Sequence, residues 1–140
     1  LNLKNTTKPE ILDEMIAFIS TSNKILDKNL LKEKIIERER QHSTGIGKNV
    51  AIPHAHCSAV KNIEMALFVS RMGTDFEAVD NEPVNIFFLV CSSEDNIASY
   101  LAILGKISRL LHETDIKNTI LNSNTPEEII NKIKLYEQKV

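Results

Sequence analysis

The sequence lacks three features that each point to a particular class of protein. Its only cysteines, Cys57 and Cys91, form no C-x-x-C pair, which excludes a disulfide framework and favours a reduced, cytoplasmic setting. Lys and Arg total 17 against 19 Asp and Glu, so the basic surface of a nucleic-acid-binding protein is not expected. No apolar run reaches 18 residues, which excludes a transmembrane helix and direct insertion into a membrane.

The sequence does contain enough apolar residues for a folded core. Hydrophobic residues make up 42% of the 140 positions, which argues against a disordered chain. The length falls within the usual range for one domain, and no linker or low-complexity tract interrupts it. We therefore predict a single domain over residues 1–140.

Apolar residues at helical spacing predict helices at both ends of the chain. Thr7 and Asp27 are predicted N-caps of the first two helices, and Glu10, three residues after Thr7, completes a capping-box pattern. A third helix is amphipathic, and the last one opens with Thr125, Pro126 and a second capping-box pattern. The predicted helices cover residues 7–20, 26–41, 96–113, 115–123 and 125–139.

Three predicted strands lie between these helices. The segment NVAIPHA is a short strand cut by Pro53, and EMALFVSRM alternates apolar and polar residues. The continuous apolar run VNIFFLVC suits a central strand that is buried on both faces. The order of elements predicts the α/β class, with a mixed central β-sheet flanked by helices on both sides.

The segment STGIGKNVAIPHAH, residues 43–56, concentrates the residues that could carry chemistry. Pro53 fixes φ immediately before His54, so the imidazole leaves the end of the strand in a set direction. Imidazole is the side chain that titrates near neutral pH, and its neutral form is a good nucleophile toward phosphorus. His54 is therefore the first candidate functional residue.

A phosphoryl group on His54 would need hydrogen-bond donors and a cation nearby. The hydroxyls of Ser43 and Thr44 and the backbone N–H groups of Gly45, Ile46 and Gly47 are candidate donors. Arg38 or Arg40, at the end of the preceding helix, could supply a guanidinium group with forked geometry. No Walker motif is present.

Other interpretations of these residues remain open. A histidine after a proline is often an ordinary turn residue, and Ser43 and Thr44 could simply end the helix. His54 and His56 could be two metal ligands on one strand face, although no further ligands follow at finger spacing. Three acidic residues could act as a general base, but the expected place for each is the surface: Glu39, Asp80 and Glu94.

The segment ERERQHSTGIGKNVAIPHAH, followed by DFEAVDNEPVNIFFLV and YLAILGKISRLLHE, resembles a known family. It is similar to the enzyme IIA domain of the fructose/mannitol class in the bacterial phosphoenolpyruvate-dependent sugar phosphotransferase system. The resemblance extends from ILDEMIAFI to the last helix. It implies an α/β sandwich and phosphoryl transfer between proteins.

The resemblance implies specific roles for residues of this chain. His54 matches the histidine that accepts a phosphoryl group at Nε2, without metal or cofactor, from a histidine-containing phosphocarrier protein. Arg38 matches an arginine that lies near the phosphoryl group. Thr44, Gly45 and Gly47 match the hydroxyl and the glycines of the family's T-G-x-G motif.

The chain departs from the family pattern at Tyr100. The family usually carries a second histidine at this place, beside the active one. A phenol can donate a hydrogen bond to a phosphoryl oxygen, but it cannot carry a positive charge. The departure leaves two possibilities open, a slower transfer site or a module that regulates its partners by docking alone.

The residues of the STGIG and AIPHA motifs resemble those of the nitrogen-regulatory branch of the class more closely. This resemblance implies a regulated transporter or kinase as target. The alternative is a sugar-specific enzyme IIA that passes the phosphoryl group to enzyme IIB for uptake of a fructose- or mannitol-type sugar. No nucleic-acid partner is expected on either interpretation.

Overall fold

The computed structural model describes residues 2–4 and 7–137 of the chain. The described residues divide into two compact units, with the boundary between Tyr100 and Leu101. The first unit contains the sheet and two complete helices, and the third helix begins within it. That residues 1–140 behave as one domain stays a prediction.

Two helices open the first unit. Helix α1 spans Lys8–Ile19 and helix α2 spans Lys28–Gln41, and the N-caps are Thr7 and Asp27, as predicted. The Asp27 carboxylate accepts the Leu30 N–H at 3.1 Å. The capping box predicted at Thr7 is wrong, because the Thr7 hydroxyl donates to the Glu10 carboxylate at 2.5 Å instead of accepting a backbone N–H.

The sheet has five strands, two more than predicted. They are β1 (Gly45–Gly47), β2 (Val50–Ala51), β3 (His54–His56), β4 (Ile63–Thr74) and β5 (Val84–Ser92). Strand β5 is central, parallel to β2 and β3 and antiparallel to β4, while β1 is antiparallel to β2. The predicted class, α/β with a mixed central sheet flanked by helices, is confirmed.

Pro53 interrupts the strand that runs parallel to β5 without changing its register. Val50 pairs with Ile86 and His54 with Val90, so β2 and β3 follow β5 as two halves of one interrupted strand. Proline cannot donate to the ladder, but its carbonyl accepts the Val90 N–H at 3.0 Å. His54 consequently lies near the carboxyl end of β5, the end at which parallel α/β sheets place their ligands.

The alternation of side chains separates the core from the histidines. Phe87, Leu89 and Cys91 of β5 belong to the core that includes the buried faces of α1 and α2. Ala55 pairs with Cys91 and belongs to the same core. Since neighbouring residues of a strand point to opposite faces, His54 and His56 point away from it.

The second unit contains the remainder of α3 (Ile97–Glu113), with α4 (Ile116–Asn122) and α5 (Pro126–Glu137). Thr125 caps α5, since its hydroxyl accepts the Glu128 N–H at 3.2 Å. In a capping box the Glu128 carboxylate would accept the N–H of Thr125. Here it accepts the N–H of the preceding residue, Asn124, at 3.0 Å. The last two residues of the predicted helix lie outside the described residues. Over the described part of the chain, every helix is too short or too polar to cross a membrane.

Candidate functional site

The imidazole of His54 is held by one hydrogen bond that fixes its tautomer. Its Nδ1 lies 2.7 Å from the carbonyl oxygen of Ile52. A carbonyl oxygen can only accept, so Nδ1 carries the hydrogen and donates it. In the neutral ring the lone pair therefore lies on Nε2. The half-buried ring presents this nitrogen as its reactive atom.

The surroundings of His54 keep the ring uncharged. Burial lowers its pKa below the ordinary value of 6.5, and the positive charge of Arg38 and the neighbouring His56 act in the same direction. The hydrogen bond to Ile52 and the negative charge of Glu39 oppose this shift without cancelling it. At neutral pH the ring is consequently a neutral nucleophile.

The lowered pKa of His54 predicts a loss of stability in acid. The unfolded chain binds a proton near pH 6.5 and the folded chain only at lower pH, so protonation favours unfolding. The stabilisation is complete above pH 6.5 and is lost as the pH falls through the folded-state pKa. Urea unfolding of the wild type and of His54→Gln between pH 8 and 5 measures it. The difference in the free energy of unfolding between the two proteins should change below pH 6.5. A difference that stays constant from pH 8 to 5 would contradict the prediction.

Tyr100 lies against both histidines of β3. Its ring centroid is 5.9 Å from that of His54 and 5.4 Å from that of His56. Tyr100 is only 2% exposed, and its hydroxyl finds no hydrogen-bond partner among the described residues. Burial raises the pKa of the phenol, so the hydroxyl keeps its proton and remains a donor.

Of the two candidate arginines, Arg38 is the one near His54. Its positive charge lowers the pKa of both His54 and Tyr100, and its Nη1 donates to the carbonyl of His42 at 2.7 Å. Arg40 instead lines the groove between α1 and α2, with Lys8 and Leu12. The structure thus brings His54 and Tyr100 into contact, and the charge of Arg38 acts on both.

The two predicted hydroxyl donors already have hydrogen-bond partners within the fold. The Ser43 hydroxyl donates to the carbonyl of Phe76 at 2.7 Å and accepts the Gly45 N–H at 3.1 Å. The buried Thr44 hydroxyl contacts the carboxylate of Glu39. That these groups contact a phosphoryl oxygen stays a prediction.

The three residues of β1 differ in exposure and backbone conformation. Gly45 is buried and packs against Ala78, whose backbone lies where a side chain would start. Ile46 is 44% exposed. Gly47 adopts φ +93°, a conformation that favours glycine. A role of their N–H groups in phosphoryl binding also stays a prediction.

Glu39 is not the surface carboxylate that the sequence predicts. It is only 7% exposed, and it accepts the Thr44 N–H at 3.2 Å and pairs with Lys8 Nζ at 3.1 Å. The signal was present in the sequence, because Glu39 continues the buried stripe of Leu31 and Ile35 at steps of four residues. Charge alone suggested exposure, and the spacing indicated burial.

A metal site at the two histidines has little support. His54 and His56 share a strand face, as a pair of ligands would. Within the described ranges, however, no group of three or more His, Cys, Asp or Glu side chains could hold a metal ion. The histidine face combines one oriented imidazole with one phenol, and the positive charge of Arg38 acts on both, which suits an anion.

The chain belongs to the EIIA 2 family of the phosphoenolpyruvate-dependent sugar phosphotransferase system, whose family model matches residues 1–136. This membership confirms the resemblance found in the sequence.

Known relatives include sugar-specific and regulatory proteins. The chain is 33% identical over 138 residues to the fructose-specific EIIABC component of Bacillus subtilis, covering 99% of this chain but only 22% of that protein. It is 26% identical to the fructose-specific EIIA component of Haloferax volcanii, over 88% of this chain and 80% of the relative. The crystal structure of the nitrogen regulatory protein IIA-Ntr from Neisseria meningitidis superposes with a TM-score of 0.86 at 25% identity, covering 95% of this chain and 90% of the other.

Proposed function

We propose that this chain is a phosphocarrier that accepts a phosphoryl group on Nε2 of His54 from a histidine-containing phosphocarrier protein and then passes it on. The observation that carries the proposal is the hydrogen bond from Nδ1 of His54 to the carbonyl of Ile52. It leaves the lone pair on Nε2 and fixes the direction of the ring. Family membership supports the same chemistry.

The transfer needs no group beyond the two proteins. The lone pair of Nε2 attacks the phosphorus atom and forms a new P–N bond. The P–N bond to the donor imidazole breaks, and its electron pair returns to the donor ring, which keeps the proton on its other nitrogen and leaves as a neutral imidazole. His54 keeps its own proton on Nδ1, so charge and protons balance. The neutral state of His54 makes this attack possible at neutral pH, because a protonated Nε2 has no lone pair to offer.

Arg38 and Tyr100 are proposed to stabilise the transferred group. The guanidinium of Arg38 offers a charge-assisted donor to the phosphoryl oxygens. The Tyr100 hydroxyl, which is buried without a partner among the described residues, would gain an acceptor from the phosphoryl group. A buried unpaired hydroxyl costs roughly 1–3 kcal/mol, so the phosphorylated state relieves a cost that the resting state carries.

Two targets for the onward step have specific support. The likeness to IIA-Ntr, at a TM-score of 0.86, favours a regulatory role in a nitrogen-type system, acting on a transporter or a kinase. The 33% identity to a fructose-specific EIIABC component favours transfer to an enzyme IIB for sugar uptake. In either case we place the exchange in the cytoplasm.

The proposal is tested by incubating the chain with phosphoenolpyruvate, enzyme I and the histidine-containing carrier, followed by mass spectrometry. We expect a gain of one phosphoryl mass, about 80 Da, which is lost again when the matching enzyme IIB is added if the sugar-specific role is correct. Retention of the label with enzyme IIB would favour the regulatory role. No gain in mass, with upstream components shown to be active, would refute the carrier function and favour a docking module.

Tyr100→Phe should slow phosphorylation without destabilising the fold. The variant removes a hydroxyl that has no described partner, so the midpoint of urea unfolding should stay the same or rise. A hydrogen bond to a charged group contributes about 1.5–3 kcal/mol, so the rate of phosphorylation should fall about tenfold or more.

Ser20→Ala is the matched control for Tyr100→Phe. The Ser20 hydroxyl is also buried without a described partner, but it lies at the C-cap of α1. We expect this variant to keep the wild-type rate of phosphorylation. An equal rate in Tyr100→Phe and the wild type would show that the phenol hydroxyl does not serve the phosphoryl group.

A further inference from the structure

A continuous series of hydrogen bonds connects the buried carboxylate of Glu39 to the imidazole of His54. Glu39 accepts the N–H of Thr44 at 3.2 Å and contacts its hydroxyl. The Thr44 carbonyl accepts the N–H of Ile52 at 3.0 Å. The Ile52 carbonyl accepts Nδ1–H of His54 at 2.7 Å. Two residues, Thr44 and Ile52, thus bridge a carboxylate on α2 and a ring on β3.

Lys8 makes the buried position of Glu39 possible. A carboxylate removed from water is costly unless it is paired and hydrogen-bonded. The Lys8 ammonium lies 3.1 Å from Glu39 Oε2, with the two side chains 14% and 4% exposed. Lys8 Nζ also donates to the carbonyl of Phe76 at 3.3 Å and lies 4.4 Å from the centre of its ring. The first turn of α1 therefore supplies the counter-ion.

The Phe76 carbonyl also fixes Ser43, the residue that precedes Thr44. The Ser43 hydroxyl donates to the Phe76 carbonyl at 2.7 Å, while the next residue, Thr44, is held by Glu39. The segment is thus fixed on both sides, by Phe76 and by the carboxylate. A fixed Thr44 carbonyl in turn fixes the position of Ile52 through its N–H. The Ile52 carbonyl then accepts the hydrogen bond from His54.

We propose that Glu39, paired with Lys8, is a positioning residue that orients the imidazole of His54 through Thr44 and the Ile52 peptide. This inference rests on the proposed function of His54. Glu39 holds the Ile52 carbonyl in the place that selects Nδ1–H and keeps Nε2 free. Neither Glu39 nor Lys8 touches the phosphoryl group. Their effect on transfer arises because a displacement of about 1 Å at a reacting atom can cost about a hundredfold in rate.

The test uses Glu39→Gln and measures the tautomer of His54 and the rate of phosphoryl acceptance. Glutamine keeps the shape of the side chain but loses the ionic bond to Lys8. In 15N NMR of the unphosphorylated protein above pH 7.5, the wild type should show His54 protonated at Nδ1. In Glu39→Gln the Nε2–H tautomer should become readily detectable, and acceptance in single-turnover assays should slow about tenfold or more.

Glu77→Gln is the matched control. The Glu77 carboxylate lies 3.7 Å from Lys8 Nζ, but its side chain is 76% exposed. This variant removes a negative charge beside the same lysine and leaves Glu39 in place. Both its tautomer and its rate of acceptance should match the wild type. A change equal to that of Glu39→Gln would overturn the proposal, because the effect would then be one of general charge near Lys8.

Thr44→Val keeps the inference testable if Glu39→Gln does not fold. Valine has a shape close to that of threonine and keeps the N–H bond to Glu39, but it loses the hydroxyl contact. We expect a smaller shift toward the Nε2–H tautomer. A folded variant, Glu39→Gln or Thr44→Val, with the wild-type tautomer would overturn the positioning role. The tautomer is read without phosphorylation, so this failure is distinct from a wild-type protein that accepts no phosphoryl group.

Discussion

We expect His54→Gln to abolish phosphorylation of the chain and His56→Gln to leave it intact. His54→Gln loses the Nε2 lone pair that we propose attacks phosphorus, and an amide is a far poorer nucleophile than a neutral imidazole. The incorporation of label from phosphoenolpyruvate, through enzyme I and the carrier protein, should fall by more than about a thousandfold. His56 provides a matched control, because its imidazole lies two residues away on the same strand face but is exposed.

The comparison of the two histidine variants separates several outcomes. Both should give the wild-type far-UV circular dichroism spectrum, since neither side chain belongs to the core around Phe87 and Leu89. Label retained in His54→Gln and lost in His56→Gln would transfer the role of acceptor to His56. Label retained in both would show that another residue accepts the phosphoryl group.

We expect Gly45→Ala to destabilise the fold and Gly105→Ala to have the opposite effect. A Cβ atom on Gly45 would lie 2.7 Å from Cβ and 2.8 Å from Cα of Ala78, so the backbone of one segment must move. Overpacking of this kind costs about 1–3 kcal/mol. Around Gly105, in α3, nothing lies within 4 Å of the added Cβ, and alanine in an exposed helix should stabilise by about 1 kcal/mol.

Urea unfolding of the two glycine variants measures this difference in sign. The free energy of unfolding should fall in Gly45→Ala and rise in Gly105→Ala relative to the wild type. Because Gly45 follows the Thr44 segment that supports His54, Gly45→Ala should also slow phosphoryl acceptance, and Gly105→Ala should not. A Gly45→Ala protein of wild-type stability would contradict the close packing between β1 and Ala78.

The sequence predicts the elements whose signals are local. The apolar run of β5 identifies the central strand, and Pro53 marks the interruption between β2 and β3. Asp27 caps α2 as expected, because the cap depends on a backbone N–H only three residues away. His54 is singled out by its neighbours in the chain, but the sequence predicts it at the end of one short strand, whereas it begins the separate strand β3.

The features that were missed depend on residues distant in the chain. Strand β1 is rich in glycine, which is depleted in strands, and it forms because β2 pairs with it. Glu39 is buried because Lys8, on another helix, neutralises it. The capping box at Thr7 fails because the hydroxyl bonds the Glu10 side chain in place of the backbone. Each outcome is decided by a tertiary contact or, at Thr7, by whether the hydroxyl accepts a backbone N–H or donates to a carboxylate, which local patterns do not specify.

The most direct test of this account is to determine which ring nitrogen of His54 becomes phosphorylated. The chain, labelled with 15N at histidine, is phosphorylated with the upstream components and examined by NMR for coupling between 31P and the ring nitrogens of His54. The hydrogen bond from Nδ1 to the carbonyl of Ile52 predicts phosphorus on Nε2, with Nδ1 still protonated. Phosphorus on Nδ1 of His54, or on any other residue, would contradict it.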